Sequence, residues 1–239
     1  MNKATRFLVV TGIAAFAVIA SVTAALAFLP RVPPVPIGGA SLQNYLNINN
    51  PGPPPIFVLL DQLDAQVWRS SVSGNATFTL QIELAGNAAN NEIGIYNAAD
   101  AIPALYQVFP GAATAGWFAT CHFGPAGALA VILFDENAVQ QGTTTFYGGV
   151  NRNNFGFYLQ NTPGGLLFYS QDYRNAGGAP QMVTYLGTDA NAGDWWECFE
   201  DLPYATSDHD FEDAILLLQS VNPTAAHSTS WGRLKALYR

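Results

Sequence analysis

The sequence has few of the residues from which many functional sites are built. Its 239 residues include 2 cysteines, 3 histidines and 9 lysines and arginines, and only 11% of the chain is charged. Two cysteines are too few for a disulfide-rich scaffold or a four-cysteine zinc site. The net charge of −8 argues against a nucleic-acid partner, because phosphate contacts require a basic surface.

The common catalytic signatures are also missing. The sequence has no G-x-S-x-G, no H-E-x-x-H and no P-loop. Its histidines, His122, His209 and His227, lack an obvious serine or cysteine partner for nucleophilic catalysis. We therefore predict that the protein is not an enzyme.

The patterns that recur in the sequence favour β-strands. ATFTLQIEL (residues 76–84) alternates apolar and polar side chains, which is the period of a half-buried strand. Its apolar face consists of Phe78, Leu80, Ile82 and Leu84. FGFYLQ repeats the pattern with Phe155, Phe157 and Leu159, and turns rich in Gly, Asn and Pro separate such segments. We predict one all-β domain over residues 40–222, an antiparallel β-sandwich or jelly roll.

The segment EDAILLLQSV (residues 212–221) is ambiguous between strand and helix. Alanine and leucine favour a helix, but the surrounding chain is rich in strands. We predict a central strand that is covered on both faces.

The N-terminus has the pattern of a secretory signal peptide over residues 1–27. Basic MNKATR precedes a long apolar run, and a small-x-small site predicts cleavage after Ala27. The alternative is a retained anchor over residues 7–29, which would be the protein's contact with a membrane. Both alternatives predict a secreted or cell-surface protein, and proline-rich residues 28–39 are predicted to be a linker.

Export to an oxidising space bears on the two cysteines. Cys121 and Cys198 form a disulfide or remain as two buried thiols, and the sequence leaves both alternatives open.

Acidic residues are concentrated between positions 200 and 213, directly before the apolar run of the ambiguous segment. The predicted metal ligands are Glu200, Asp201, Asp208, Asp210 and Asp213, with Glu212 as an additional one. Oxygen ligands in this number suit Ca²⁺, which accepts six to eight of them in irregular geometry. The pattern is not an EF-hand, because the sixth and twelfth positions counted from Asp208 lack the required Gly and Glu.

Two other interpretations of the acidic residues stay open. One is a solvated acidic turn without an ion. The other is a carbohydrate-active protein, a lectin or glycoside hydrolase, because Asp208, Asp210 and Asp213 have the acid-x-acid-x-x-acid spacing of some jelly-roll glycosidases. In that case Trp195 and Trp196 would stack on the sugar.

The stretch from residue 153 to 221 resembles a domain of unknown function in secreted bacterial proteins. The resemblance rests on FGFYL, FYSQDYRN, WWECFEDLP and SDHDFED, where the family reads F-G-F-Y-L, F-Y-S, W-E-D-L-P and S-D-x-D-[FY]-N-D. That family often precedes a PEP-CTERM exosortase sorting tail. The resemblance implies an exported β-sandwich without established catalysis and supports the same acidic positions. Glu212 replaces an asparagine of the family, and PYAT replaces a glycine-rich turn.

The tail, residues 223–239, has no second apolar helix and departs from a PEP-CTERM tail. We predict a short basic amphipathic helix that docks on export or sorting machinery, with a frayed basic end as the alternative. The docking residues would be Trp231, Arg233, Lys235 and Arg239.

Taken together, these patterns predict an exported, non-catalytic cell-surface or extracellular-matrix protein with a structural Ca²⁺ site and an adhesive role. Its partners would be surface or matrix components, polysaccharide among them.

Overall fold

The computed structural model describes residues 29–82, 88–162 and 164–224. The predicted signal peptide and the docking residues of the tail lie outside the described residues. No helix within the described residues is long and apolar enough to cross a membrane.

The described chain forms one α-helix and thirteen strands. They are α1 (Ser41–Asn49), β1 (Val67–Ser70), β2 (Asn75–Ile82), β3 (Asn91–Asn97), β4 (Leu105–Phe109), β5 (Phe118–Phe123), β6 (Leu129–Phe134), β7 (Thr145–Tyr147), β8 (Phe155–Asn161), β9 (Leu166–Tyr169), β10 (Met182–Leu186), β11 (Trp195–Phe199), β12 (Ala214–Gln219) and β13 (Val221–Thr224). One sheet has the order β10-β11-β12-β2-β5-β6-β7, and the other has the order β13-β1-β8-β3-β4 with β9 beside β8. Every strand pair is antiparallel, which confirms the predicted all-β sandwich.

An inner core fills the space between the two sheets. Phe78 and Leu80 of β2 lie in it, as do Phe157 and Leu159 of β8, so the alternation in the sequence marks the correct faces. The Phe78 and Phe157 rings meet edge to face with centroids 5.0 Å apart. These aromatic contacts join the two sheets.

An outer core covers the opposite face of the seven-stranded sheet. Leu42 and Leu46 of α1 pack there with Ile215 and Leu217 of β12. The alternate residues of β12, Leu216 among them, face the inner core. The prediction of a central strand covered on both faces is therefore confirmed.

Residues 30–39, which we call the strap, lie along the sandwich and are not a separate linker. Pro30 bridges to Leu63, and Val35 is only 4% exposed. The Gln62 side chain accepts the Val35 N–H and donates to the Val35 carbonyl, each at 2.8 Å. These non-local contacts correct the linker prediction. The domain also extends through β13 to Thr224, two residues into the predicted tail.

Cys121 and Cys198 are free and buried. Cys121 lies in the inner core and Cys198 in the outer core, on opposite faces of the same sheet. Strands β12 and β2 separate their strands, β5 and β11. This arrangement contradicts the disulfide alternative, because the cysteines of a disulfide must have their Cα atoms within about 7 Å.

Candidate metal centre

The acidic residues lie on the connection between β11 and β12, residues 200–213. These two strands are antiparallel neighbours, and Phe199 pairs with Ala214. Glu200 therefore leaves one strand beside the point where Asp213 enters the next. The end of β11 thus lies beside the start of β12, as the sequence predicts for two neighbouring strands.

Three carboxylates come together within this connection. Glu200, Asp208 and Asp210 each offer one oxygen atom, and these atoms lie within 4.8 Å of one another. Glu200 is buried, Asp210 is half-buried and Asp208 is exposed, so the group runs from the protein interior to its surface. We call these residues the triad, and the triad can hold a metal ion.

Glu200 is the buried member, with no exposed surface. Its Oε1 accepts the Phe211 N–H at 2.9 Å, while its Oε2 has no hydrogen-bond partner in the described structure. Burial raises the pKa of Glu200 and outweighs the Phe211 N–H and the nearby Ser207 hydroxyl, which lower it. The charges of Asp210 and Asp208 raise it further. A buried carboxylate oxygen without a partner is costly, so this atom requires a proton or a cation.

The backbone of the loop brings Asp208 and Asp210 to Glu200. His209 and Phe211 both have positive φ, 61° and 54°, a conformation that non-glycine residues rarely adopt. Phe211 is fully buried in the outer core, and the His209 ring stacks on Tyr204 with centroids 4.0 Å apart. These two anchors hold the unusual backbone in place.

The strap contacts the same loop. The Gly38 N–H donates to the His209 carbonyl at 2.7 Å, between the two aspartates of the triad. A Cβ atom on Gly38 would lie 2.1 Å from the Asp208 carbonyl oxygen. Only glycine fits this approach without a shift of one backbone.

We expect Gly38→Ala to lower the stability by about 1–3 kcal/mol, because the strap or the loop must move to admit a methyl group. Chemical denaturation measures the change. Gly148→Ala is the matched control, since a Cβ there meets no atom within 4 Å. Equal stability of the two variants would contradict the importance of this contact.

The other three predicted ligands lie beside the triad but do not belong to it. Asp201 is 3% exposed and accepts a hydrogen bond from Asn91 Nδ2 at 3.0 Å. The Asp201 N–H donates to Asp213 Oδ2 at 2.9 Å, and burial raises the pKa of Asp213 to about 7. The Glu212 N–H donates to Asp210 Oδ1 at 3.3 Å. The structure therefore brings three of the six predicted residues together in the triad.

No basic side chain neutralises the triad within the described ranges. The ion pair found there joins Arg31 to Asp172, and neither residue belongs to the triad. Burial also raises the pKa of Asp210, and the charges of Glu212 and Asp208 act in the same direction. Protonation or a bound cation is left to compensate the carboxylates.

Trp195 and Trp196 are each 1% exposed, which corrects their proposed contact with carbohydrate. Trp195 packs against Trp68 in the inner core with centroids 5.3 Å apart. Trp196 lies in the outer core, where its Nε1–H donates to Asn50 Oδ1 at 3.3 Å. Neither ring is available to stack on a sugar beside the acidic residues.

Sequence reasoning missed Glu197, a second buried acid. It has no exposed surface, and its Oε1 accepts the Trp68 Nε1–H at 3.0 Å. Burial raises the pKa of Glu197 well above its usual value and so favours the protonated, neutral form of the side chain. The signal was present: in WWECF, Glu197 shares the face of Trp195 and Phe199.

Comparison of the chain with protein-family models, with curated proteins and with solved structures found no match.

Proposed function

We propose that this is an exported, non-catalytic β-sandwich protein of the cell surface or extracellular matrix, with a structural Ca²⁺ site at the triad. The observation that carries the proposal is the buried Glu200 Oε2, which has no hydrogen-bond partner in the described structure and belongs to a carboxylate close to two others. A cation there would supply the missing partner and cancel the repulsion among the three acids.

Calcium fits this ligand set better than other common metals. Zinc prefers His or Cys ligands, but His209 is stacked on Tyr204 and its Nε2 lies 2.5 Å from the Tyr204 carbonyl. Magnesium demands a near-regular octahedron, whereas calcium accepts irregular oxygen sets. The buried Ser207 hydroxyl lies beside the Glu200 carboxylate without a hydrogen bond of regular geometry, and together with water it would add to the three carboxylates.

The role of the ion follows from its place in the fold. The triad ties the end of β11 to the loop that leads into β12, and the strap contacts the same loop through Gly38. A cation would therefore stabilise the outer core and the strap together. The basic start and apolar run of residues 1–27 support export, and the outside of a cell supplies enough calcium for a site with a Kd of about 10⁻⁴ to 10⁻³ M.

Chelation tests the proposal. At calcium concentrations 100-fold above Kd, bound ion adds about 2.7 kcal/mol, so removal by EGTA should lower the melting temperature by about 5–10 °C. Asp210→Asn should melt at the same temperature with calcium and with EGTA. The matched control is Glu136→Gln, which removes one exposed carboxylate outside the triad and should keep the full response. An unchanged melting temperature of the unmodified chain in EGTA would overturn the proposal.

A further inference from the structure

A cavity of about 290 Å³ lies between the strap and the sandwich, away from the triad residues. Residues 31–36 of the strap form one wall. Asp64, Gln66 and Asp172 contribute polar groups to the rest of the lining. Its volume is at the lower end of the range for small-molecule sites.

The polar wall is built from side chains that hold one another in place. Arg31 is 9% exposed, donates to the Met182 carbonyl at 3.1 Å and pairs with Asp172. Gln66 is 3% exposed, and its Nε2 donates to Asp64 Oδ1 at 2.6 Å and to Asp172 Oδ2 at 3.2 Å. Its Oε1 accepts the Asp172 N–H at 3.0 Å. A ligand would meet preorganised groups, which lowers the entropy cost of binding.

The mixture of charges indicates the class of ligand. Asp64 and Asp172 disfavour an anion, while the Arg31 guanidinium, paired with Asp172, offsets one of the two negative charges and disfavours a cation beside it. Carboxylates only accept hydrogen bonds, a guanidinium only donates them, and a hydroxyl group does both. A neutral ligand with several hydroxyl groups therefore matches this wall.

Much of the remaining lining is apolar. Prolines 33, 34, 36 and 180 contribute to it, and the first three, which belong to the strap, are exposed. Fixed proline rings present apolar surface without losing side-chain freedom on binding. This surface complements the C–H face of a pyranose ring.

We propose that this cavity binds one neutral sugar unit of a glycan, through the Arg31, Asp64, Gln66 and Asp172 wall. The site differs from the predicted carbohydrate site at Trp195 and Trp196. It is also separate from the triad, so the inference does not depend on bound calcium.

Saturation-transfer NMR on the full chain tests the inference with glucose, galactose, mannose, N-acetylglucosamine and cellobiose at millimolar concentration. At least one of these sugars should receive saturation from the protein. Asp64→Asn should weaken that binding at least tenfold. Val32→Trp should abolish it, because Val32 is 74% exposed on the lining and a large ring there fills the space without disturbing the buried network.

Glu136→Gln should bind like the unmodified chain. Absence of transfer to all five sugars would overturn the inference, as would transfer that survives in folded Val32→Trp. A chain that binds glucuronate or glucosamine in preference to every neutral sugar would contradict the choice of ligand class.

Discussion

Phe211→Ala is expected to lower the free energy of unfolding by about 3–5 kcal/mol, the range for loss of a large buried aromatic side chain. Phe211 has no exposed surface and packs in the outer core. The substitution should also abolish the response to calcium, because the anchored Phe211 backbone donates to Glu200 Oε1. Without the ring, the loop loses one of its two anchors, and we expect Asp208 and Asp210 to separate from Glu200.

Urea denaturation with and without calcium measures both effects. Phe146→Ala is the control, because Phe146 is 76% exposed on β7, and it should change stability by less than about 0.5 kcal/mol. A Phe211→Ala chain that loses stability but keeps the full calcium response would show that the ring does not position the triad.

Raising the pH should destabilise the protein through Glu197. Burial raises the pKa of this carboxyl well above its usual value of 4.5. The stabilisation from its proton is therefore complete below the unfolded-state pKa and is lost as the pH rises toward the folded-state pKa. Between these two pKa values the loss approaches about 1.4 kcal/mol per pH unit.

Glu197→Gln should remove this loss, because the amide is always neutral and its oxygen can still accept the Trp68 Nε1–H. The measured quantity is the difference in unfolding free energy between variant and unmodified chain at each pH, in saturating calcium. Taking the difference cancels contributions from the triad and Asp213, which both proteins share. The difference should grow in favour of Gln as the pH rises, and a constant difference would mean that Glu197 is ionised in the folded protein.

The strands could be predicted because apolar residues recur along each of them with a short, regular spacing. In β2 and β8, the alternate apolar residues Phe78, Phe157 and Leu159 reach the inner core. The continuous apolar run of β12 likewise predicts a strand with both faces covered. These patterns depend on residues two positions apart, so one sequence is enough to recognise them.

The strap and α1 could not be predicted in this way. Proline-rich residues 30–36 resemble a solvated linker, and all four of their prolines are exposed. What fixes the segment is its contact with Gln62 and Leu63, about 30 positions along the chain. The local composition of residues 30–36 does not reveal such a contact.

Only part of the site could be predicted, because contacts between residues far apart in the sequence also decide which carboxylates meet. Composition identified the carboxylates, but the selection among them depends on distant partners such as Asn91, which binds Asp201. The wrong prediction of a carbohydrate contact at Trp195 and Trp196 was avoidable from the sequence. Neighbouring residues on a strand point to opposite faces, so the two side chains cannot line one cleft.

Calorimetric titration of calcium chloride into the chelator-treated chain tests the calcium site most directly. We expect one calcium ion per chain with a Kd of about 10⁻⁴ to 10⁻³ M, no binding in Asp210→Asn, and unchanged binding in Glu136→Gln. Absence of a heat of binding between millimolar calcium and the unmodified chain would contradict the site, as would equal calcium binding by Asp210→Asn.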